Sequence, residues 1–119
     1  MTIEMYGYRS CTSCRNTDQI LTNAGADHTY RDFFRERFSR DELAELLSRT
    51  GLTPRAVLST RSKVYKARST EIDTMDDDHL LNLMLEEPTL LRRPLVVREG
   101  QVVIGHNPAR LASLLNTTD

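Results

Sequence analysis

An α/β fold with a four-stranded mixed sheet, flanked by helices and carrying a helical insert between its second and third strands, is the class this sequence predicts. Three observations carry that reading. The chain opens on a strand–helix–strand pattern, and it closes on a valine-rich hairpin followed by a helix. Its only two cysteines, Cys11 and Cys14, stand as a C-x-x-C pair where the first strand gives way to the first helix.

Residues 2–6 alternate Thr-Ile-Glu-Met-Tyr, a short strand with Ile3 and Met5 on one face. Gly7 to Ser10 form a loop, and a helix over residues 12–24 turns Ile20 and Leu21 inward before Gly25 stops it. His28-Thr29-Tyr30-Arg31 is the second strand, parallel to the first through a right-handed crossover. Ser39-Arg40-Asp41-Glu42 is a capping box opening a helix with Leu43, Leu46 and Leu47 on its apolar face and Gly51 at its end. Pro54-Arg55-Ala56-Val57-Leu58 reads as a short helix with proline at its first position. Thr74-Met75-Asp76-Asp77 is a second capping signal, for a helix carrying Leu80, Leu81, Leu83, Met84 and Leu85 as far as Glu87. Leu95-Val96-Val97 and Val102-Val103-Ile104 flank Arg98-Glu99-Gly100-Gln101, a tight hairpin with Gly100 as its permissive residue. Asn107-Pro108 caps a last helix with Leu111, Leu114 and Leu115 inward. Taken with the C-x-x-C after the first strand, this order is thioredoxin-like.

The placement of the cysteines points to redox chemistry. At a helix N-terminus, Cys11 faces unpaired backbone N–H groups and the positive end of the helix dipole, which favour a thiolate. Cys14 follows one turn later on the same face, within disulfide reach. A structural zinc site would need about four Cys or His ligands, and His28, His79 and His106 show no metal-ligand pattern, so no metal site is expected. His28 and His79 read as surface or helix-face residues, and Tyr8 as a wall of the cysteine loop or as core.

Residues 1–119 are expected to form one domain. A net charge of −1 argues against a general nucleic-acid binder. The longest apolar runs are too short to span a membrane, and the first residues show no basic region followed by an apolar stretch. A cytoplasmic location follows as the expectation, where a cysteine pair cycles or senses rather than staples.

The segments Cys11-Thr12-Ser13-Cys14-Arg15-Asn16-Thr17, Ser39-Arg40-Asp41-Glu42-Leu43 and Leu91-Arg92-Arg93-Pro94-Leu95-Val96-Val97 resemble the glutaredoxin-coupled arsenate reductases (ArsC) and their relatives, the Spx-type regulators that bind RNA polymerase. Arg15-Asn16-Thr17, the Ser-Arg-Asp-Glu-Leu start and residues 52–58 look like the reductases. Residues 59–65 and 90–94 look more like Spx, as does a cysteine at position 14 where the reductases commonly have serine. For the reductases, the resemblance implies that Cys11 attacks an oxyanion held by arginines, whose forked donors bind two oxygens at once. Arg93 matches one such position and Arg61 a second across a small gap, while the third family arginine is replaced by His106 or Asn107. For the regulators, Arg92 is the matching residue, and their polymerase-contacting glycine has no counterpart, Gly51 being displaced. The resemblance also implies a cis bond before Pro94.

The expected function is therefore a thiol-dependent reductase acting on an oxyanion or disulfide, with Cys11 as nucleophile, Cys14 as resolving thiol, and Arg61, Arg92 and Arg93 around the anion. It would hold no bound cofactor and would draw electrons from glutaredoxin with glutathione, or from thioredoxin. The alternative is a redox-sensing regulator acting on RNA polymerase through the same disulfide.

Overall fold

The computed structural model describes residues 2–116. The chain forms two compact units, the first built from residues up to 36 and from 93 onward, the second from residues 37–92. The helical insert expected between the second and third strands is this second unit.

The first unit holds strands β1 (Ile3–Gly7), β2 (His28–Asp32), β3 (Leu95–Arg98) and β4 (Gln101–Ile104), with helices α1 (Thr12–Asn23) and α5 (Pro108–Leu115). The sheet order is β2-β1-β3-β4, with β1 parallel to β2 and the other two pairings antiparallel, the mixed sheet of a thioredoxin-like fold. Alternation turns Ile3 and Met5 to the same side as Val96 and Val103, and Cys14, Leu21, Leu111 and Leu114 from α1 and α5 complete that core, none of the eight more than 4% exposed. Each such side chain removed from water contributes about 1.5–3 kcal/mol before entropy is charged against it. Tyr6, Leu95 and Val97, pointing the other way, are buried as well.

β1 takes in Gly7, which the sequence reading placed in the loop. The parallel ladder runs one step further than the apolar alternation, pairing Gly7 with Asp32. In the hairpin, Glu99 adopts a positive φ of 59°, so a side-chain-bearing residue is left-handed where the sequence pointed to Gly100. Asn107 accepts from the Arg110 N–H and Pro108 opens α5, while the Arg98 guanidinium donates to Leu114 O at 3.0 Å, a cation at the helix's negative end.

His28 is held more firmly than a surface residue. Its Nε2 lies 2.6 Å from Asp18 Oδ1 on α1, and its Nδ1 lies 2.9 Å from Ala26 O. Burial opposes protonation here, but hydrogen bonds to Asp18 and Ala26 and the Asp18 charge win, raising the imidazole above its ordinary value. A raised folded value means stabilisation present in full below the unfolded value near 6.5 and lost as pH climbs through the folded one. His28→Gln should accordingly lower Tm at pH 5.5 and do so much less at pH 9, a modest effect because Asp18 is a third exposed. An equal deficit at both pH values would show that the ion pair contributes nothing.

In the second unit, α2 (Arg40–Thr50) has the expected capping box, Ser39 accepting from Glu42 N–H and Glu42 from Ser39 N–H, and Gly51 closes it at φ 71°. Pro54–Val57 is a 3₁₀ turn rather than a regular helix, capped by Thr53. Two helices follow, α3 (Lys63–Asp73) and α4 (Asp77–Glu86), then a 3₁₀ turn at Pro88–Leu90. The sequence reading missed α3. It is kinked at Arg68 (φ −128°, ψ 24°) and buries only Ile72, so no apolar stripe marks it. Its cap, Ser62, accepts from Val64 N–H. Thr74, expected to begin the acidic helix, instead ends α3, and Asp76 caps α4 by accepting from His79 N–H. Ser59 N–H donates to Leu90 O and Arg92 N–H to Val57 O, tying the two ends of this segment together at 2.7 and 2.8 Å. Among the described residues, no helix is long and apolar enough to cross a membrane.

Candidate active site

The loop between β1 and α1 is shaped by one buried carboxylate. Asp32, 7% exposed, accepts from Arg9 N–H through one oxygen and from Phe34 and Arg35 N–H through the other. It thereby ties the cysteine loop to the turn after β2. Cys11 N–H donates to Tyr8 O at 2.9 Å, and Cys11 itself is the N-cap of α1 in extended conformation (φ −83°, ψ 122°). Its carbonyl accepts the first helical bond, from Arg15 N–H, so its sulfur stands at the open end of the helix.

The two thiols are free and unequal. Cys11 is partly exposed, whereas Cys14 is wholly buried in the core between α1 and the sheet. Burial opposes ionisation of Cys11, but the Cys14 thiol donating to it, the Cys14 and Ser13 N–H groups and the Arg93 charge together bring it below the ordinary thiol range. Cys14 is pushed up to about 12, first by burial and then because its proton is shared with Cys11 and a Cys11 thiolate repels a second negative charge.

Arg93 precedes a cis peptide to Pro94, which is buried at the start of β3. The Arg93 guanidinium lies over the Phe34 ring, 5.3 Å from its centroid, and Phe34 stacks on Tyr8 with centroids 4.2 Å apart. Of the residues singled out from sequence, the structure thus brings Cys11, Cys14 and Arg93 together electrostatically. Arg61 and Arg92 belong to the second unit and are exposed there, Arg61 in the turn before α3. His106, weighed as a substitute for a family arginine, has its Nδ1 2.8 Å from the hydroxyl of Thr17, which is 1% exposed on α1.

Besides Asp32, Gly7 and Tyr30 escaped the sequence reading as residues of the site. A Cβ at Gly7 would lie 2.9 Å from Cys14 Sγ and 3.2 Å from Tyr30 Oη, so glycine is what lets the strand end pass this close to the buried thiol. Tyr30 reaches the same place from β2, through the register that pairs it with Met5. The Arg9 guanidinium covers its ring at 4.4 Å. The signal available was Gly7 before the C-x-x-C, but nothing local joins it to Tyr30. Among the described residues, no three His, Cys, Asp or Glu side chains are placed to hold a metal ion.

Comparison with known proteins matches residues 6–114 to the ArsC family. The chain is 39% identical over 112 residues to the regulatory protein MgsR of Bacillus subtilis, covering 94% of this chain and 89% of that one. It is 34% identical over 116 residues to the global transcriptional regulator Spx 1 of Oceanobacillus iheyensis, covering 98% and 88%. Among solved structures, an arsenate reductase from Vibrio cholerae superposes with a TM-score of 0.82 at 29% identity, over 95% of this chain and 97% of the other.

Proposed function

Since this chain belongs to the ArsC family, we propose that it is a thiol-dependent reductase in which Cys11 is the nucleophile and Cys14 the resolving thiol. The observation that carries the reading is the inequality of the pair, one sulfur partly exposed at a helix N-terminus with its charge supported, the other buried and protonated. The Cys11 thiolate attacks a disulfide sulfur, expelling the other sulfur as a thiolate, or the central atom of an oxyanion, expelling one of its oxygens as water, and forms a covalent adduct. Cys14 gives up its proton to solvent and attacks Cys11 Sγ, breaking the adduct bond and leaving a Cys11–Cys14 disulfide. The substrate departs with two electrons, and an external dithiol, glutaredoxin with glutathione or thioredoxin, returns them. Arg93 neutralises charge on the incoming group.

A regulator acting on RNA polymerase through the same disulfide is the second reading, favoured by the 39% identity to MgsR and the 34% identity to Spx 1. The same covalent chemistry serves both, so the partner distinguishes them. The reductase reading predicts arsenate- or disulfide-dependent NADPH oxidation in a coupled glutaredoxin or thioredoxin assay, lost in Cys11→Ser. Retention of RNA polymerase by immobilised protein, with no turnover of either substrate, would replace it with the regulator.

A further inference from the structure

The resolving step poses a problem that the pair does not solve by itself. Cys14 is wholly buried, its thiol is pushed up to about 12, and it must carry negative charge both when it attacks Cys11 and when it leaves as the disulfide is reduced. Cys11 is by then bound within the adduct or mixed disulfide and no longer shares a proton with it, which leaves only the Tyr8 backbone hydrogen bond and the Arg93 charge to favour its ionised form. A further donor facing the sulfur stabilises it at those moments.

Tyr30 is placed to be that donor. Its ring packs against the cluster that contains Cys14, and its hydroxyl is a buried atom with no hydrogen-bond partner among the described residues. An unsatisfied buried hydroxyl is unusual and destabilising unless something repays it. The hydroxyl and Cys14 Sγ both come within 3.2 Å of the point where a Cβ on Gly7 would sit. The glycine therefore keeps that approach free of side-chain atoms. Burial and the nearby Cys14 charge hold the phenol well above its ordinary value, so it stays a donor at any working pH.

We infer that the Tyr30 hydroxyl is a built-in hydrogen-bond donor to Cys14, engaged when that sulfur carries negative charge in the resolving and reducing steps. This rests on the resolving role given to Cys14 above. In the thiol state the donor is idle, which accounts for its missing partner. When Cys14 attacks, the thiol proton goes to solvent, the Cys14–Cys11 bond forms, and the bond from Cys11 to the adduct breaks. Throughout, the Tyr30 proton stays on oxygen.

A single-turnover reaction with the aromatic disulfide 5,5′-dithiobis(2-nitrobenzoate) separates the steps. Cys11 attack releases one thionitrobenzoate, and Cys14 attack on the mixed disulfide releases a second, so each thiol reports its own phase at one wavelength. Tyr30→Phe keeps the ring, its packing and the Arg9 contact, and removes only the oxygen. The second phase should slow about tenfold or more, and its pH dependence should move to higher pH, because a hydrogen bond to a charged group has been lost. The first phase and the total of two thionitrobenzoates should not change. If the second phase in Tyr30→Phe keeps its wild-type rate and pH profile, the donor role is wrong while the resolving role stands. If the wild type releases only one equivalent, Cys14 does not resolve and both fall together.

Discussion

Iodoacetamide at pH 7 should carboxamidomethylate Cys11 at least about a hundredfold faster than Cys14, as mapped by peptide mass spectrometry over a time course. The attacking species is the thiolate, and two separate features favour Cys11. Its sulfur is partly exposed, and the Cys14 thiol, two N–H groups and Arg93 support its charge against the opposing effect of burial. Cys14, pushed up to about 12, is protonated at pH 7 and is also hidden from the reagent. Raising the pH to 9 should narrow the ratio by less than the ionisation difference alone would allow, because burial still bars access. Preferential labelling of Cys14 at pH 7 would reverse the two assignments.

Gly7→Ala should be one of the most damaging small substitutions in the chain. The φ of Gly7 lies outside the left-handed region, so the added methyl is not forbidden by backbone geometry, but it would meet Cys14 Sγ at 2.9 Å and Cys14 Cβ at 3.2 Å. Cys14 cannot step aside, being on α1 and without exposed surface in the core. Overpacking of this kind costs about 1–3 kcal/mol, which for a chain this size lowers Tm by roughly 4–12 °C. Removing the sulfur as well makes the argument sharp. In a Cys14→Ala background Gly7→Ala should cost much less than it does in the wild type, a coupling of neighbours in contact. Melting of Gly7→Ala at the wild-type temperature would mean that the strand end and the thiol are not packed as described.

What could be read from the sequence was whatever local pattern dictates. Strand alternation placed Ile3 and Met5 in the core, and the capping box at Ser39 and the Asn107-Pro108 start marked helices within a residue of where they lie. The cysteine pair announced its own setting, a helix N-terminus after a first strand. α3 was illegible because a kinked helix with one buried residue has no periodicity to detect. The helix it precedes was consequently started too early, at Thr74 instead of Asp76. The hidden part of the site lies in the register between strands. Only the parallel pairing of β1 with β2 carries Tyr30 and Asp32 to the cysteine loop, and twenty or so residues of intervening chain conceal it. Thr17 and His106 are likewise joined across the fold rather than along the chain.

The redox pair itself is tested most directly by oxidising the protein mildly and weighing the product. The account predicts a monomer lighter by two hydrogens, with no titratable thiol, a nearly unchanged circular dichroism spectrum and ready reduction by dithiothreitol or thioredoxin, since so short a loop adds little to stability. Cys14→Ser, treated with oxidised glutathione, should instead retain glutathione on Cys11. A product that is mainly disulfide-linked dimer, with Cys14 still free, would contradict it.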